Sequence, residues 1–339
     1  MLVIGGGPAG SAAAICCAGH GLRVALIERH ALARLRPGES LHPGIEPLLE
    51  QLGVAEVLQH SIRFEGQWVL WNGPARFSSF GSDESGPWRG FQIARSQLDL
   101  ALLQRARAAG VEVRQPCRAQ HVISDGHRVV GVITDQGRFH ASYLIDASGA
   151  PGWLSRQLRL KINQYSAPMV ARYGYLRGRI EPDLTNPRLI ADSTGWTWIA
   201  QVQEHLVHWT HLAFDHGDLE KHDCQLLARA MQTLTPQGPV RGADATWRIS
   251  SAPADAGYFM VGDAASSLDP ASSHGVLKAL MSGMQAAQAV SDSLRQPALQ
   301  TAARAQYSQW LSQWFEQDRH QLSHFYRQHP CPPRWLPVV

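Results

Sequence analysis

A short aliphatic run, Leu2-Val3-Ile4, passes at once into Gly5-Gly6-Gly7-Pro8-Ala9-Gly10 and then into the small helix-forming residues Ser11-Ala12-Ala13-Ala14-Ile15. This junction restricts the fold more than any other feature, because G-x-G-x-x-G between a strand and a helix is the dinucleotide-binding turn of a parallel βαβ unit. Gly5 permits the tight turn, Gly7 lets a pyrophosphate approach the backbone, and Gly10 lets helix and strand pack closely. Pro8 and Ala9 open the helix, whose free N–H groups and macrodipole favour an anion. After Gly21-Leu22, the run Arg23-Val24-Ala25-Leu26-Ile27 reads as the next strand and ends in Glu28, the position of an acid that takes ribose hydroxyls.

The far end of the chain repeats the pattern. Tyr258-Phe259-Met260-Val261 reads as a buried strand running into Gly262-Asp263-Ala264-Ala265, so Asp263 stands at the carboxyl end of a strand, where open α/β sheets meet ligands. Leu268-Asp269-Pro270-Ala271-Ser272-Ser273-His274-Gly275 then leads into a helix beginning Val276-Leu277-Lys278. That second helix N-terminus suits a developing negative charge. Composition removes several alternatives. With 44% hydrophobic and 17% charged residues the 339-residue chain is globular and long enough for about two domains. A net charge of +3 without basic runs argues against nucleic acid as a partner. Cys16, Cys17, Cys117, Cys224 and Cys331 lack framework or metal spacing and read as free thiols in a reducing compartment. Residues 1–19 carry no charge, but the stretch has no basic start and is broken by glycines and Pro8. A cytoplasmic protein without a membrane span is therefore expected.

Taken together, Gly5 to Gly10, Glu28, and Gly262-Asp263-Ala264-Ala265 followed by Pro270 and Gly275 resemble the single-component FAD monooxygenases and their flavin-dependent halogenase relatives. Arg34-Leu35-Arg36-Pro37-Gly38-Glu39-Ser40 is similar to the loop that, in this family, meets the FAD pyrophosphate and passes the ring. Phe91-Gln92-Ile93-Ala94-Arg95-Ser96-Gln97-Leu98-Asp99 is similar to the segment that contacts the ribityl–phosphate region. The resemblance thus implies FAD, with Arg36, Ser40 and Arg95 as cofactor contacts; guanidinium groups suit phosphate on chemistry alone. Asp146-Ala147-Ser148-Gly149 completes the set.

The expected fold is α/β: a Rossmann-like FAD-binding domain made of residues 1–60, 91–160 and 250–295, a β-sheet substrate domain inserted as 61–90 and 161–249, and a C-terminal helical segment, 296–339. Alternating aromatic and β-branched residues at Met169–Tyr175 and Leu206–Leu212 mark strands of the second sheet. Tyr307, Trp310, Leu311, Trp314, Leu322 and Phe325 recur near helical period and read as a helix docked on the core, with a partner-binding face as the alternative. His205, His208 and His211 would point to different faces of a strand, and His320 with His324 lacks a third ligand, so no metal site is expected.

A single nucleotide fingerprint excludes a disulfide reductase, so the electrons come from transiently bound NAD(P)H or from a separate flavin reductase. Reduced flavin with oxygen supplies an electrophilic oxygen, and the protein supplies a dry chamber. Gly195-Trp196-Thr197-Trp198 resembles the start of the halogenase motif, but Ile199-Ala200-Gln201 departs from its end. Arg63 stands near where halogenases carry a lysine, and the chain's lysines are Lys161, Lys221 and Lys278. An always-charged guanidinium is a poor substitute, which places hydroxylation ahead of halogenation. Trp196 and Trp198 read as substrate-domain core. The segments Ala243–Arg248 and Leu268–Leu280 resemble the flavoprotein maturases of tryptophylquinone enzymes. This implies hydroxylation of a tryptophan side chain in a precursor protein, with a non-catalytic flavin-containing assembly factor as a further alternative. Ser273 and His274 are expected beside the pyrimidine edge of the flavin, His274 as a hydrogen-bond donor or proton relay.

Overall fold

The computed structural model describes residues 1–31, 36–150, 152–179, 184–215 and 224–337; Arg34, Leu35 and Lys221 lie outside them. Strands Leu2–Ile4, Ala25–Ile27, Glu112–Arg114, Leu144–Asp146 and Tyr258–Met260 form one parallel sheet, extended at one edge by Ala254–Asp255. In spatial order Glu112–Arg114 comes first, then Ala25–Ile27, Leu2–Ile4, Leu144–Asp146, Tyr258–Met260 and the antiparallel edge strand. The strands are short and their middle members are buried throughout, as expected for a parallel sheet covered on both faces. Helix Pro8–Gly19 lies between this sheet and helix Gly275–Arg295. The two helices approach so closely that a Cβ on Gly283 would run into the Ala9 carbonyl. Strands Ala119–Ser124, Val129–Thr134 and Gly137–His140 form a separate antiparallel sheet.

The second large sheet has eight strands, with Gly195–Gln203 and Leu206–Ala213 at its middle. All eight residues of Leu206–Ala213 are buried, so the strand is covered on both faces rather than half-solvated. Val207 and Trp209 pack towards helix Gln225–Thr233, together with Leu227 and Ala230. His208, Thr210 and Leu212 point the other way, as the period of two requires, and pair across strands with Ala200, Trp198 and Trp196. Strand Gly66–Leu70 joins this sheet, whereas Ile62–Phe64 pairs with Gly90–Gln92 in a small sheet that also holds Ser40–Leu41.

Helix Gln300–Arg327 ties the two layers together. Tyr307, Leu311 and Phe315 enter the core around the parallel sheet, and Leu322 and Tyr326 enter the core beneath the second sheet. The expected aromatic stripe is therefore split between two cores, with Trp310, Trp314 and Phe325 half-buried at its margins. All five cysteines are free, and burial pushes the thiols of Cys16 and Cys17 up to about 11 and about 12. Among the described residues no helix is long and apolar enough to cross a membrane and no cluster could hold a metal ion.

Candidate active site

The Gly5–Gly10 turn is built as its spacing demands. Gly5 has φ +103°, and a Cβ there would collide with the Ala147 carbonyl; a Cβ on Gly10 would strike the Gly5 carbonyl. Gly7 instead faces open space and carries no side-chain cap, which leaves first-turn N–H groups of helix Pro8–Gly19 available to an anion. Glu28 closes the next strand over this turn. Its Oε2 accepts from the Gly6 N–H at 2.8 Å and its Oε1 from the His30 N–H at 2.8 Å. Each carboxylate oxygen keeps a lone pair for a hydroxyl.

A cleft of about 1180 Å³ runs from this turn to the start of helix Gly275–Arg295. It brings together Gly5, Gly7, Pro8, Ala9, Glu28, Arg36, Ser40, Arg95, Asp263, Pro270 and Gly275. Gly10 is absent from the wall because it packs helix on strand beneath it. Arg36 has no side-chain partner among the described residues and turns to the cleft. Arg95 is already engaged, donating to the Pro37 carbonyl at 2.9 Å and to Asp99 Oδ1 at 3.1 Å. It therefore clamps the 37–40 loop onto helix Arg95–Ala108 and has only its remaining N–H groups for a phosphate. Asp263 opens on the cleft, yet the surrounding protein desolvates its carboxyl and raises its pKa, against the pull of Lys278, Arg95 and Arg248.

A second, smaller cavity of about 80 Å³ adjoins the cleft. Pro37, Gly38, Ser40, Pro270 and Ser273 line both. Its other walls are Glu39, Gln67, Leu189, Trp196, Trp198, His208, Thr210 and Ala271. Trp196 and Trp198 are thus more than core: two residues apart on one strand, they share the face that roofs this chamber. Ser273 stands at the partition with φ +58°, a left-handed conformation rare for a residue with a Cβ.

His274 does not line the chamber. Its Nδ1 lies 3.2 Å from Asp318 Oδ1 on the C-terminal helix, and its ring meets His42 edge-on with centroids 5.6 Å apart. His274 follows Ser273, which stands at the partition, while its own ring turns to Asp318 and His42. His208 and His211 face opposite sides of their strand, towards Glu39 and Asp192, and His320 and His324 are exposed.

Sequence reasoning missed two buried networks. Asp269 Oδ2 accepts from Trp247 Nε1 at 2.7 Å and from the Tyr326 hydroxyl at 2.8 Å, while Oδ1 accepts from the Ala271 N–H at 2.9 Å. Tyr326 in turn accepts from Trp196 Nε1 at 2.7 Å. The Pro270–Ser273 turn is thereby tied to the chamber roof and to the C-terminal helix. Burial pushes Asp269 up to about 6 despite the Trp247 and Tyr326 hydrogen bonds. The second network joins Glu39, Tyr175 and His208. Burial raises Glu39 to about 7, against the Tyr175 hydrogen bond and Arg95, and lowers His208 to about 3.

A parallel sheet with a glycine-turn cleft, roofed at its far end by a second sheet, defines a two-layer flavoprotein of the FAD-binding type. Residues 1–309 match the FAD binding domain family, and the chain belongs to it. The glycine cradle, the Glu28 rim and Arg36 fit FAD, which is the cofactor of this family. The chain is 28% identical over 317 residues to the tryptophan 2-halogenase of Chondromyces crocatus, across 86% of this chain and 60% of that protein. It is 27% identical to a 1H-pyrrole-2-carbonyl-(peptidyl-carrier protein) brominase of Pseudoalteromonas luteoviolacea, across 87% of this chain and 77% of that one. The fold is similar to that of the myxobacterial chondrochloren halogenase CndH, with TM-score 0.89 and 24% identity over 100% of this chain and 85% of the other. It is also similar to the peptidyl tryptophan dihydroxylase QhpG, with TM-score 0.76 and 22% identity over 97% and 75%. The chain is a member of the FAD-dependent monooxygenase and halogenase superfamily and spans about three fifths of the length of the tryptophan 2-halogenase it matches.

Proposed function

We propose that this chain is an FAD-dependent monooxygenase that hydroxylates an aromatic group, the indole of a tryptophan side chain in a precursor of a tryptophylquinone enzyme. The observation that carries this reading is the shared partition: an aromatic-walled chamber meets the cofactor cleft at Pro37, Gly38, Ser40, Pro270 and Ser273. FAD, once reduced by NAD(P)H or by a separate flavin reductase, supplies an electrophilic oxygen from O2. The chain's own residues bind and exclude. Gly5, Gly7, Pro8 and Ala9 with the helix N-terminus would hold the diphosphate together with Arg36. Glu28 would take the ribose, and the Gly275 helix start would face negative charge on the ring. Trp196, Trp198 and Leu189 present flat apolar surface to an aromatic substrate and keep bulk water out. The domain division expected from the sequence, with the second sheet as substrate domain, is part of this proposal.

Halogenation is the second reading, favoured by the names of the relatives and by the tryptophan wall. Against it, no lysine lines either cavity among the described residues. Lys161 is exposed, and Lys278 is buried over the Phe315 ring. Arg63 is exposed, 3.2 Å from Glu46, and stacks on Phe91. The test is turnover of indole and of a tryptophan-containing precursor peptide with FAD, a flavin reductase and O2, with and without bromide, read by mass spectrometry. One added oxygen, unchanged by bromide, is expected. A brominated product replaces hydroxylation with the second reading, and maturation of a partner by protein whose bound flavin cannot be reduced replaces it with an assembly factor.

A further inference from the structure

Apart from its indoles, the chamber wall carries six polar side chains, those of Glu39, Ser40, Gln67, His208, Thr210 and Ser273. Most are committed elsewhere. Glu39 meets the Tyr175 hydroxyl through Oε1, and its Oε2 is sealed beneath the wall. Ser40 donates to Gln92 Oε1 at 2.8 Å, Thr210 Oγ1 lies 3.2 Å from His208 Nε2, and the His208 ring stacks on Tyr175 with centroids 5.0 Å apart. Ser273 stands at the partition and also lines the large cleft. Gln67 differs. The residue is half-buried, its amide makes no hydrogen bond among the described residues, and neither amide atom is sealed from the surface.

Its place in the sheet explains why. Gln67 lies on strand Gly66–Leu70, two residues before Val69, and so shares a face with it. Across the strands Val69 is level with Leu189, Leu189 with Trp198, and Trp198 with Thr210. Gln67 itself is level with Ser78 of the last strand of the sheet, Arg76–Ser79, and all four residues of that strand are exposed. The chamber roof thus runs from the inner strands, which carry Trp196, Trp198 and Thr210, to a rim at Gln67 beside solvent. An apolar cavity of about 150 Å³ takes a benzene ring. The chamber, at about 80 Å³, has room for no more than a ring, so whatever carries the ring stays outside.

We propose that Gln67 is the specificity-determining residue of the chamber rim, pairing with a main-chain amide attached to the aromatic ring, so that the chamber selects a tryptophan held in a peptide over a free small aromatic. This deepens, and rests on, the aromatic-substrate reading above. A primary carboxamide presents an acceptor oxygen and a donor N–H side by side, the complement of the N–H and C=O of a peptide, whereas the Trp198 indole can only donate. The same neutral amide carries no charge to match the ammonium or carboxylate of a free amino acid, groups that are costly to bring out of water unpaired. A main chain held at the rim leaves the far edge of the ring to face the partition at Pro270 and Ser273, where the chamber meets the cleft.

The experiment measures dissociation constants of 3-methylindole and N-acetyltryptophanamide for the FAD-loaded protein, from the difference spectrum of the bound flavin and from calorimetry. The first ligand is the ring alone, and the second adds the amides of a peptide. The native chain is compared with Gln67→Met, which keeps the length and loses the polar pair, and with Gln67→Glu, which keeps acceptors and loses the donor. Gln67→Met is expected to weaken N-acetyltryptophanamide about tenfold, the worth of one net hydrogen bond, and to leave 3-methylindole within about twofold. Gln67→Glu is expected to weaken the same ligand and spare the other, because a carboxylate faces the ligand carbonyl without a proton to give. An equal loss for both ligands in the two variants, a loss for neither, or a native protein that does not bind N-acetyltryptophanamide each overturns the assignment. Oxygenation of N-acetyltryptophanamide with a KM that Gln67→Met leaves unchanged overturns Gln67 alone; failure to oxygenate any aromatic overturns the proposed function, whatever the binding ratios.

Discussion

Replacing Tyr326 by Phe removes one hydroxyl and leaves the ring stacked near Trp71 and Trp247. Two buried hydrogen bonds go with it: the donation to Asp269 Oδ2 at 2.8 Å and the acceptance from Trp196 Nε1 at 2.7 Å. A hydrogen bond to an ionised carboxylate contributes about 1.5–3 kcal/mol, and a buried indole N–H left without a partner costs about 1–3 kcal/mol. The sum is roughly 4 kcal/mol above the titration of Asp269. With an unfolding entropy of about 2.1 cal/mol/K per residue over the 339-residue chain, that lowers Tm by about 6 °C. Asp269 sets the pH dependence. Its folded pKa, about 6, lies above the ordinary 3.8, so the folded state binds the extra proton and stability falls as pH rises between those values. Loss of the Tyr326 bond, which favours the ionised form, raises the folded value further, so the variant loses more at pH 8 than at pH 5. Scanning calorimetry at the two pH values measures both effects. A loss below about 1 °C at each, or a larger loss at pH 5, would refute the idea that Asp269 is held ionised by the C-terminal helix.

Other substitutions probe the cleft. Arg36→Met is expected to weaken FAD binding about tenfold, with the Tm of the cofactor-free protein unchanged, because the guanidinium has no side-chain partner among the described residues to lose; fluorescence titration and a melt separate the two. Gly10→Ala places a methyl against the Gly5 carbonyl and should cost about 1–3 kcal/mol by forcing helix from strand, read by denaturant unfolding together with lost FAD retention. Ser273→Gly relieves a left-handed backbone at φ +58° worth about 1 kcal/mol. A small rise in Tm accompanied by slower turnover is expected, and a variant both more stable and fully active would show that the serine is dispensable.

The cleft half of the candidate site was legible because its signals are local. Gly5, Gly7 and Gly10 act within one turn, Glu28 follows at the end of the next strand, and Gly262-Asp263 follows a strand directly; spacing along the chain is spacing in the cleft. The chamber half was not. Tyr175 reaches Glu39 across 136 positions, Trp196 reaches Tyr326 across 130 and Tyr326 reaches Asp269 across 57, and no periodicity records such meetings. Two hints were present: a glutamate between Pro37-Gly38 and Ser40, and an aspartate immediately before Pro270, a residue that caps a turn. Neither says which distant donor arrives. The direction of the His274 ring was hidden for the same reason, since position at a helix start fixes its backbone but leaves the ring to Asp318 and His42. Trp196 and Trp198 were read as core from their apolar character, and only the sheet's placement over the partition gives their face a cavity to line.

The most direct test of the account is a crystal structure with FAD and indole bound. The account predicts the diphosphate beside Gly7 and the flavin ring along Pro270–Gly275, with indole across the partition between Trp196 and Glu39. A flavin ring turned out of the cleft, away from Ser273, or indole bound on a surface separate from Trp198 and His208, would contradict it.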